Sequence, residues 1–456
     1  RTMAKRVFGE EISIAQPSEG QMDLFATATP TNETIDNQES TIESTVKTIE
    51  NTEHDYQLIE SIDDTKTLIS KLQAQKFVCF DTETSSLNPL NTQLLGIAFS
   101  YKAGTGFYLS MLNDTDEKLE LLRSFFINKS IIKIAHNFKF DAAVLLQNNV
   151  ETKGINFDTM VAHYLLEPDM KHSMDYLSEV YLNYKPVSIE TLIGKKGKNQ
   201  KSMADLTPEE VYEYACEDAD ITFQLYEVLK QKIGTPYLMD LFYNMEMPLN
   251  TVLMRMEAEG IRLDTAALNS FSTELGENLV NLEKEIIELA GTDFNVDSPK
   301  QLGAILFDVL AIDSKAKKTK TGQYKTDEQT LTKLIGKHDI IPLILEYRKV
   351  KKLKSTYVDT LPELVDASSN RIHTTYMQTV AATGRLSSNN PNLQNIPIRS
   401  EKGKEIRKAF IAKGEDYTLL AADYSQIELR IIAALSGDEH MIEAFRNGED
   451  IHRATA

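Results

Sequence analysis

Three short segments carry acids at spacings that can build a divalent-metal site: FDTET at Phe80–Thr84, HNFKFD at His136–Asp141 and YACEDAD at Tyr214–Asp220. Asp81 and Glu83 are separated by one residue at the end of an apolar run that reads as a strand, so both side chains emerge on one face. Tyr214 and Asp218 are four apart on a helical pattern and share a face as well. Asp141 follows a short apolar run, where an acid is also an ordinary helix cap. Taken singly, Asp-x-Glu is equally an exposed strand end, and a Tyr–Asp pair equally a surface contact. Asp220 points away from Asp218 and reads as structural. Taken together, four carboxylates from three elements repel one another unless cations neutralise them. Hard carboxylate oxygens suit Mg²⁺ or Mn²⁺. Two such ions about 3.5–4 Å apart can activate a water and stabilise the leaving oxygen of an in-line displacement. A phenol such as Tyr214 could orient that water. The eight histidines are scattered, and no His/Cys cluster at zinc spacing competes.

The elements that must position these acids follow from periodicity. Lys76–Thr82, Leu94–Tyr101 and Gly106–Met111 read as strands, and Ile131–Ala135 as a short buried one. Glu117–Phe126, Asp141–Gln147 and Thr159–Leu166 read as helices, and Pro208–Lys232 as a long helix. Strands first and helices after predict an α/β domain with a mixed sheet. From Tyr243 the pattern changes. Leu268, Phe271, Leu275, Leu279, Leu282, Ile286 and Leu289 form one stripe of a long helix that Gly291 ends. A second long helix is expected from about Ile341 to Val365, with Tyr347, Val350, Leu353, Tyr357 and Leu361 on one side and Lys349, Lys351, Lys352 and Lys354 among them. The two would form a projecting arm, its charge read by itself as a solvated face.

At 456 residues the chain is too long for one core. The expected division is an acidic flexible linker over 1–54, an α/β domain over 55–240 and a second domain over 241–456. The linker assignment rests on a Thr/Ser/Glu/Asn/Gln-rich composition near Ile12–Glu53 that cannot bury enough surface to fold. No apolar run reaches the length of a membrane span, so no membrane partner is expected. Cys79 and Cys216 sit in apolar patterns, which fits buried thiols in a reducing cytosol. The net charge of −19 does not exclude a nucleic-acid partner, because phosphate needs only a local basic surface, and Lys315–Lys354 is strongly basic.

The three acidic segments closely resemble the motifs of the proofreading DEDD 3′–5′ exonucleases, in the variant with tyrosine in the third motif. Family A DNA polymerases carry this domain. The resemblance implies an RNase H-like fold, with Asp81, Glu83, Asp141 and Asp218 holding two Mg²⁺ (or Mn²⁺) ions and Tyr214 orienting the water. It implies contacts from Leu87 and Asn137 to the DNA end. A fourth segment, DYSQIELR at Asp423–Arg430, resembles motif A of the same polymerases. By that resemblance Asp423 serves the catalytic metals, the Tyr424 carbonyl helps coordinate one, and Glu428 screens the sugar. Leu419–Ala422 is expected as a short strand delivering Asp423, with a helix from Ser425. The polar segment His373–Ser400 resembles the primer–template-binding stretch, with Arg385, Asn395 and Arg399 as contacts. DIHRATA at Asp450–Ala456 also matches and puts His452 near an incoming triphosphate. The arm matches the thumb, so its lysines would grip the duplex.

The fold expected is therefore α/β: an RNase H-like exonuclease domain followed by a mostly helical thumb and a partial palm. The expected partners are DNA, as a single-stranded 3′ end and as primer–template duplex, and dNTP in a full-length parent. A monomer in the bacterial cytoplasm, associated with the nucleoid, is expected. RTMAKRVFGEE reads as the trailing edge of a preceding 5′-nuclease domain, and the fingers helix and second palm aspartate of the family lie beyond Ala456. Primer extension by this piece is accordingly not expected. Two other readings remain: a stand-alone exonuclease trimming DNA or RNA, and a non-catalytic DNA-binding scaffold.

Overall fold

The computed structural model describes residues 46–398, 400–449 and 451. Its first layer is a six-stranded mixed sheet built from β1 (Asp55–Ile59), β2 (Phe77–Thr84), β3 (Leu94–Ser100), β4 (Thr105–Ser110), β5 (Ile132–Ala135) and β6 (Asn156–Asp158). The order is β1-β4-β3-β2-β5-β6. β3 runs antiparallel to both β2 and β4, while the β1–β4, β2–β5 and β5–β6 pairs are parallel.

Period-two alternation in β2 sets the two layers around it. Val78 and Phe80 face one side, buried with Leu68 and Leu72 of α1 (Ile62–Gln73), Leu122 and Phe126 of α2 (Thr115–Phe126) and Phe138 and Ala142 of α3 (Phe138–Gln147). Cys79 faces the other, packed with residues of α4 (Thr159–Leu166), α5 (Met174–Leu182) and the long α7 (Pro208–Lys232), which follows the short α6 (Ile189–Ile193). Asp81 and Glu83 continue the Cys79 face by the same alternation. Gly106 lets α7 lie close on the sheet: a Cβ there would sit 2.5 Å from the Cβ of Cys216. Both cysteines are free and buried.

Part of the stretch expected as linker is ordered. The Lys47 N–H donates to Asn183 O (3.0 Å) and Lys47 O accepts from Lys185 N (2.9 Å), so residues 46–54 are tied to the end of α5. Residues 1–45 lie outside the described residues, as do Arg399 and His452.

Beyond α7, Pro236–Leu241 passes through a π turn into α8 (Met247–Glu259). The arm consists of α9 (Thr265–Ala290) against α10 (Ile340–Leu353). Gly291 ends α9 in a left-handed conformation, φ 70°, as expected of a C-terminal glycine. The second arm helix departs from the expectation of one run to Val365: a π turn at Lys354–Val358 separates α10 from a single turn at Thr360–Glu363. The wide turn adds one residue between buried positions, so Val350, Leu353, Val358 and Leu361 all face the core, and Tyr357 is only partly buried. Internal pairs occupy several arm lysines: Lys351 with Asp297, Lys354 with Asp359 (2.8 Å) and Lys349 with Glu346 (3.9 Å).

The expected strand Leu419–Ala422 is absent. These residues are exposed, Leu420 at 90%, and no described strand lies alongside to complete a ladder. A helix, α11 (Ile427–Ser436), does follow. No described helix is long and apolar enough to cross a membrane.

Candidate metal centre

Asp81 and Glu83 come from the end of β2 and Asp218 from the middle of α7, and ligand atoms of the three lie within 4.8 Å of one another. Glu83 and Asp218 are buried and Asp81 is partly accessible. Space beside Glu83 depends on Gly96, its partner across β3. The Tyr108 ring fills that space, and a Cβ on residue 96 would come within 2.2 Å of it.

No lysine or arginine forms an ion pair with these acids among the described residues. Burial pushes the Asp81 carboxyl up to about 6. Burial, and secondarily Asp81, push Glu83 up to about 8. Asp218 is raised well above the usual carboxylate range by burial and then by Asp81 and Glu83. Its Oδ1 is buried with no hydrogen-bond partner. An orphaned carboxylate oxygen facing two further acids fits a divalent cation, because a bound cation relieves both the desolvation and the mutual repulsion of the ionised carboxylates. The all-oxygen donor set is the kind that takes Mg²⁺, Mn²⁺ or Ca²⁺.

Tyr214 sits one turn before Asp218. Burial and then the charges of Asp218, Glu83 and Asp81 raise its ionisation far above the usual phenol range, so it is a neutral O–H donor. Asp220 is turned away, accepting from Tyr56 Oη (3.0 Å), Gly104 N (2.9 Å) and Gln224 Nε2 (3.0 Å). It ties α7 to the edge of the sheet.

Asp141 is placed differently from its three companions. It belongs to the first turn of α3, on the Val78–Phe80 side of the sheet. Its Oδ1 accepts from Thr82 Oγ1 (2.6 Å) and Thr82 N (3.2 Å). Thr82 lies between Asp81 and Glu83 and points to the opposite face, so Asp141 approaches the cluster from across the strand. It is buried, raised by burial and then by Asp81, and outside the group of three.

Asp158 escaped the sequence reading, and it fixes this half of the site. It is buried and its carboxylate accepts from Asn137 N (3.2 Å), Phe138 N (2.9 Å), Met160 N (2.9 Å) and Val161 N (3.3 Å), holding the starts of α3 and α4 together. An acid directly before a helical run is the cap signature that could have revealed it. Asn137, which precedes α3, takes a left-handed conformation (φ 70°) that asparagine tolerates. Asp158→Ala leaves four N–H groups without this partner, two of them buried and two part-buried, and at about 1–3 kcal/mol for each buried one a loss of about 3 kcal/mol is expected in denaturant unfolding. An unchanged unfolding midpoint would contradict this.

The remaining predicted residues are dispersed. Leu87, 92% exposed, tips the loop after β2. A cleft of about 280 Å³ runs from Leu87–Leu90 to Glu257, His373, Thr374 and Asn390. A larger cavity, about 660 Å³, lies between α8 and Phe410 and takes in none of the acids. Arg385 pairs loosely with Glu428 (3.4 Å), both exposed, and Asn395 offers its carbonyl to Tyr357 Oη (2.7 Å). Asp423 and Tyr424 are exposed, and Asp423 belongs to no group of three or more candidate metal ligands among the described residues.

A family model described as 3′-5′ exonuclease matches residues 56–234, and one described as DNA polymerase family A matches residues 265–456. The chain is 42% identical over 402 residues to DNA polymerase I of Pseudomonas aeruginosa, covering 85% of this chain and 44% of that protein. It is 43% identical over 401 residues to DNA polymerase I of Chloroflexus aurantiacus, covering 85% and 42%. The chain thus spans less than half the length of these curated relatives. A solved structure of the POL domain of Pol1 from M. smegmatis, in complex with DNA primer-template and dNTP, superposes with a TM-score of 0.74 at 32% identity, covering 87% of this chain and 65% of that one.

Proposed function

Because this chain belongs to the family A DNA polymerases and carries their 3′–5′ exonuclease domain, we propose that it removes nucleotides from the 3′ end of DNA, as the proofreading part of a DNA-directed DNA polymerase acting in replication and repair. The observation that carries the proposal is the cluster of Asp81, Glu83 and Asp218, with an unpartnered Asp218 oxygen and a neutral Tyr214 beside it.

In this reading Asp81, Glu83 and Asp218, with Asp141 from across the strand, hold two Mg²⁺ or Mn²⁺ ions. When bound, the ions supply a water acidic enough to attack phosphorus and a counter-charge for the leaving 3′ oxygen. Tyr214 keeps its proton and donates it in a hydrogen bond that orients the attacking water. Leu87, projecting from the loop after β2, packs against the terminal base, and Asn137 contacts the DNA end. In the polymerase segment, Asp423 and the Tyr424 carbonyl serve the nucleotide-adding metals and Glu428 screens the sugar, while Arg385, Asn395, Arg399 and His452 hold primer–template and dNTP. The protein works as a monomer in the bacterial cytoplasm. The test is degradation of a single-stranded oligodeoxynucleotide labelled at its 5′ end. A ladder shortening from the 3′ end only when Mg²⁺ or Mn²⁺ is present is expected, and an intact substrate would overturn the proposal.

A pH dependence follows from the acids. A carboxyl raised in the folded protein stabilises the fold while protonated, fully below the unfolded carboxylate range, and that contribution is lost as pH rises through the folded value. The loss is complete for Asp81 at about 6 and continues for Glu83 to about 8. Without divalent ions the melting temperature should therefore fall between pH 6 and 8. Cations compete with these protons. Saturating MgCl₂ should raise the melting temperature more at pH 8 than at pH 6, and an equal rise at both would exclude these acids as ligands.

A further inference from the structure

The segment Gly194–Ser202, GKKGKNQKS, carries four lysines and no acid in a chain of net charge −19. Lys195, Lys196, Lys198 and Lys201 are all exposed, and none forms an ion pair among the described residues. The loop is pinned at its base. Lys201 N donates to Ile193 O (2.9 Å), Gln200 N to Gly197 O (3.2 Å) and Gln200 Nε2 to Gly194 O (3.2 Å).

Both roots of the loop lead to the metal centre. Leu192 and Ile193 before it, and the buried Met203 after it, pack in the cluster that contains Tyr214, Ala215 and Ala219 of α7. Ser202 Oγ donates to the carbonyl of Ser85 (3.2 Å), two residues beyond Glu83. The nearest acids in sequence are Glu190 on α6 and Asp205, whose carboxylate already accepts from Ser202 N (2.8 Å). A centre lined by carboxylates repels a polyanion, so a substrate strand needs cationic surface nearby to be held while its end enters. Unpaired lysine ammoniums are point charges suited to phosphate and indifferent to base sequence.

We propose that Lys195, Lys196, Lys198 and Lys201 form a basic lip of the exonuclease site that binds the phosphodiester backbone of the single strand a few nucleotides before its 3′ end. The inference rests on the exonuclease reading and assigns a substrate contact within it.

The test uses the whole 456-residue chain. One variant carries Lys195→Ala, Lys196→Ala, Lys198→Ala and Lys201→Ala, and a second carries arginine at the same four positions. Two substrates are compared: a single-stranded oligothymidylate, and the p-nitrophenyl ester of thymidine 5′-phosphate, which is too short to reach the loop. The alanine variant should show a KM for the oligonucleotide raised about tenfold at low salt, with kcat little changed. The slope of log affinity against log salt should fall by roughly 1.4–2.1, the release expected for two or three single-strand phosphates. Hydrolysis of the ester should be unaffected, and the arginine variant should restore both KM and slope. An unchanged KM and salt slope overturns the proposal, and so does an equal loss on both substrates, which marks a structural role. If the wild-type chain hydrolyses neither substrate, the exonuclease reading itself fails. Oligonucleotide anisotropy in EDTA then still decides the lip, weaker binding by the alanine variant upholding it and equal binding refuting it.

Discussion

Replacing Asp81 and Glu83 together by alanine is expected to lower Mg²⁺-dependent removal of 3′ nucleotides by at least about 10³-fold while the protein stays folded. The two carboxylates emerge from one face of one strand, so the double change removes two of the three clustered ligands and leaves Asp218 alone. Binding of the nucleic-acid strand should survive, because no phosphate contact is lost. The sign of the stability change separates this site from a structural cluster. Asp81 is held against ionisation by burial, and Glu83 by burial and then by Asp81, so their removal relieves desolvation and repulsion in the metal-free protein. The double variant should therefore melt no lower than the parent in EDTA and should lose the melting-temperature rise that MgCl₂ gives the parent. Trimming at the parental rate would remove these acids from the mechanism. A collapse of stability in EDTA would instead show that they act as structural partners.

Glu257→Ala is expected to cost about 3–5 kcal/mol in unfolding, the penalty of stranding a buried cation. Lys139 and Glu257 form an ion pair with side chains only 10% and 9% exposed. The same Glu257 oxygen accepts from Tyr376 N (2.6 Å), and the Glu257 carbonyl faces His373 Nδ1 (2.7 Å). One residue of α8 thus fastens α3 to the strand Thr375–Met377 of the polymerase-family segment. Replacing both partners by apolar residues, Lys139→Met with Glu257→Leu, should recover most of the loss, because an apolar pair has no unmet charge. A double-mutant cycle reads the coupling directly. Lys139 stands two residues before Asp141 on α3, so Glu257→Ala should also slow 3′ trimming while Asp81 and Glu83 remain in place. Single and double variants of equal stability would show that the pair is not coupled.

Much of the site is legible along the chain. The one-residue spacing of Asp81 and Glu83 and the four-residue spacing of Tyr214 and Asp218 reduce to the geometry of a strand and of a helix, and both pairs fall on shared faces. Asp158 is legible in principle as a helix cap, but its second task, holding the start of α3, depends on β5 and β6 lying side by side. Lys139 and Glu257 are 118 residues apart, and no local pattern pairs them. The expected strand at Leu419–Ala422 fails for a related reason: an apolar run becomes a strand only when another strand completes its hydrogen bonds, and none of the described strands lies beside it. The π turn at Lys354–Val358 escapes as well, because one added residue shifts the buried face without altering the composition.

The amino-acid order alone determined which residues could serve as ligands, which elements carry them, and which face of each element they occupy, since these follow from periods of two and 3.6 residues. Only the tertiary structure decided that three of the acids converge while Asp141 arrives from across the strand, tied to Thr82. That depends on α7 packing on one side of the sheet and α3 on the other, and the choice of side is set by the burial of whole apolar faces rather than by any residue at the site.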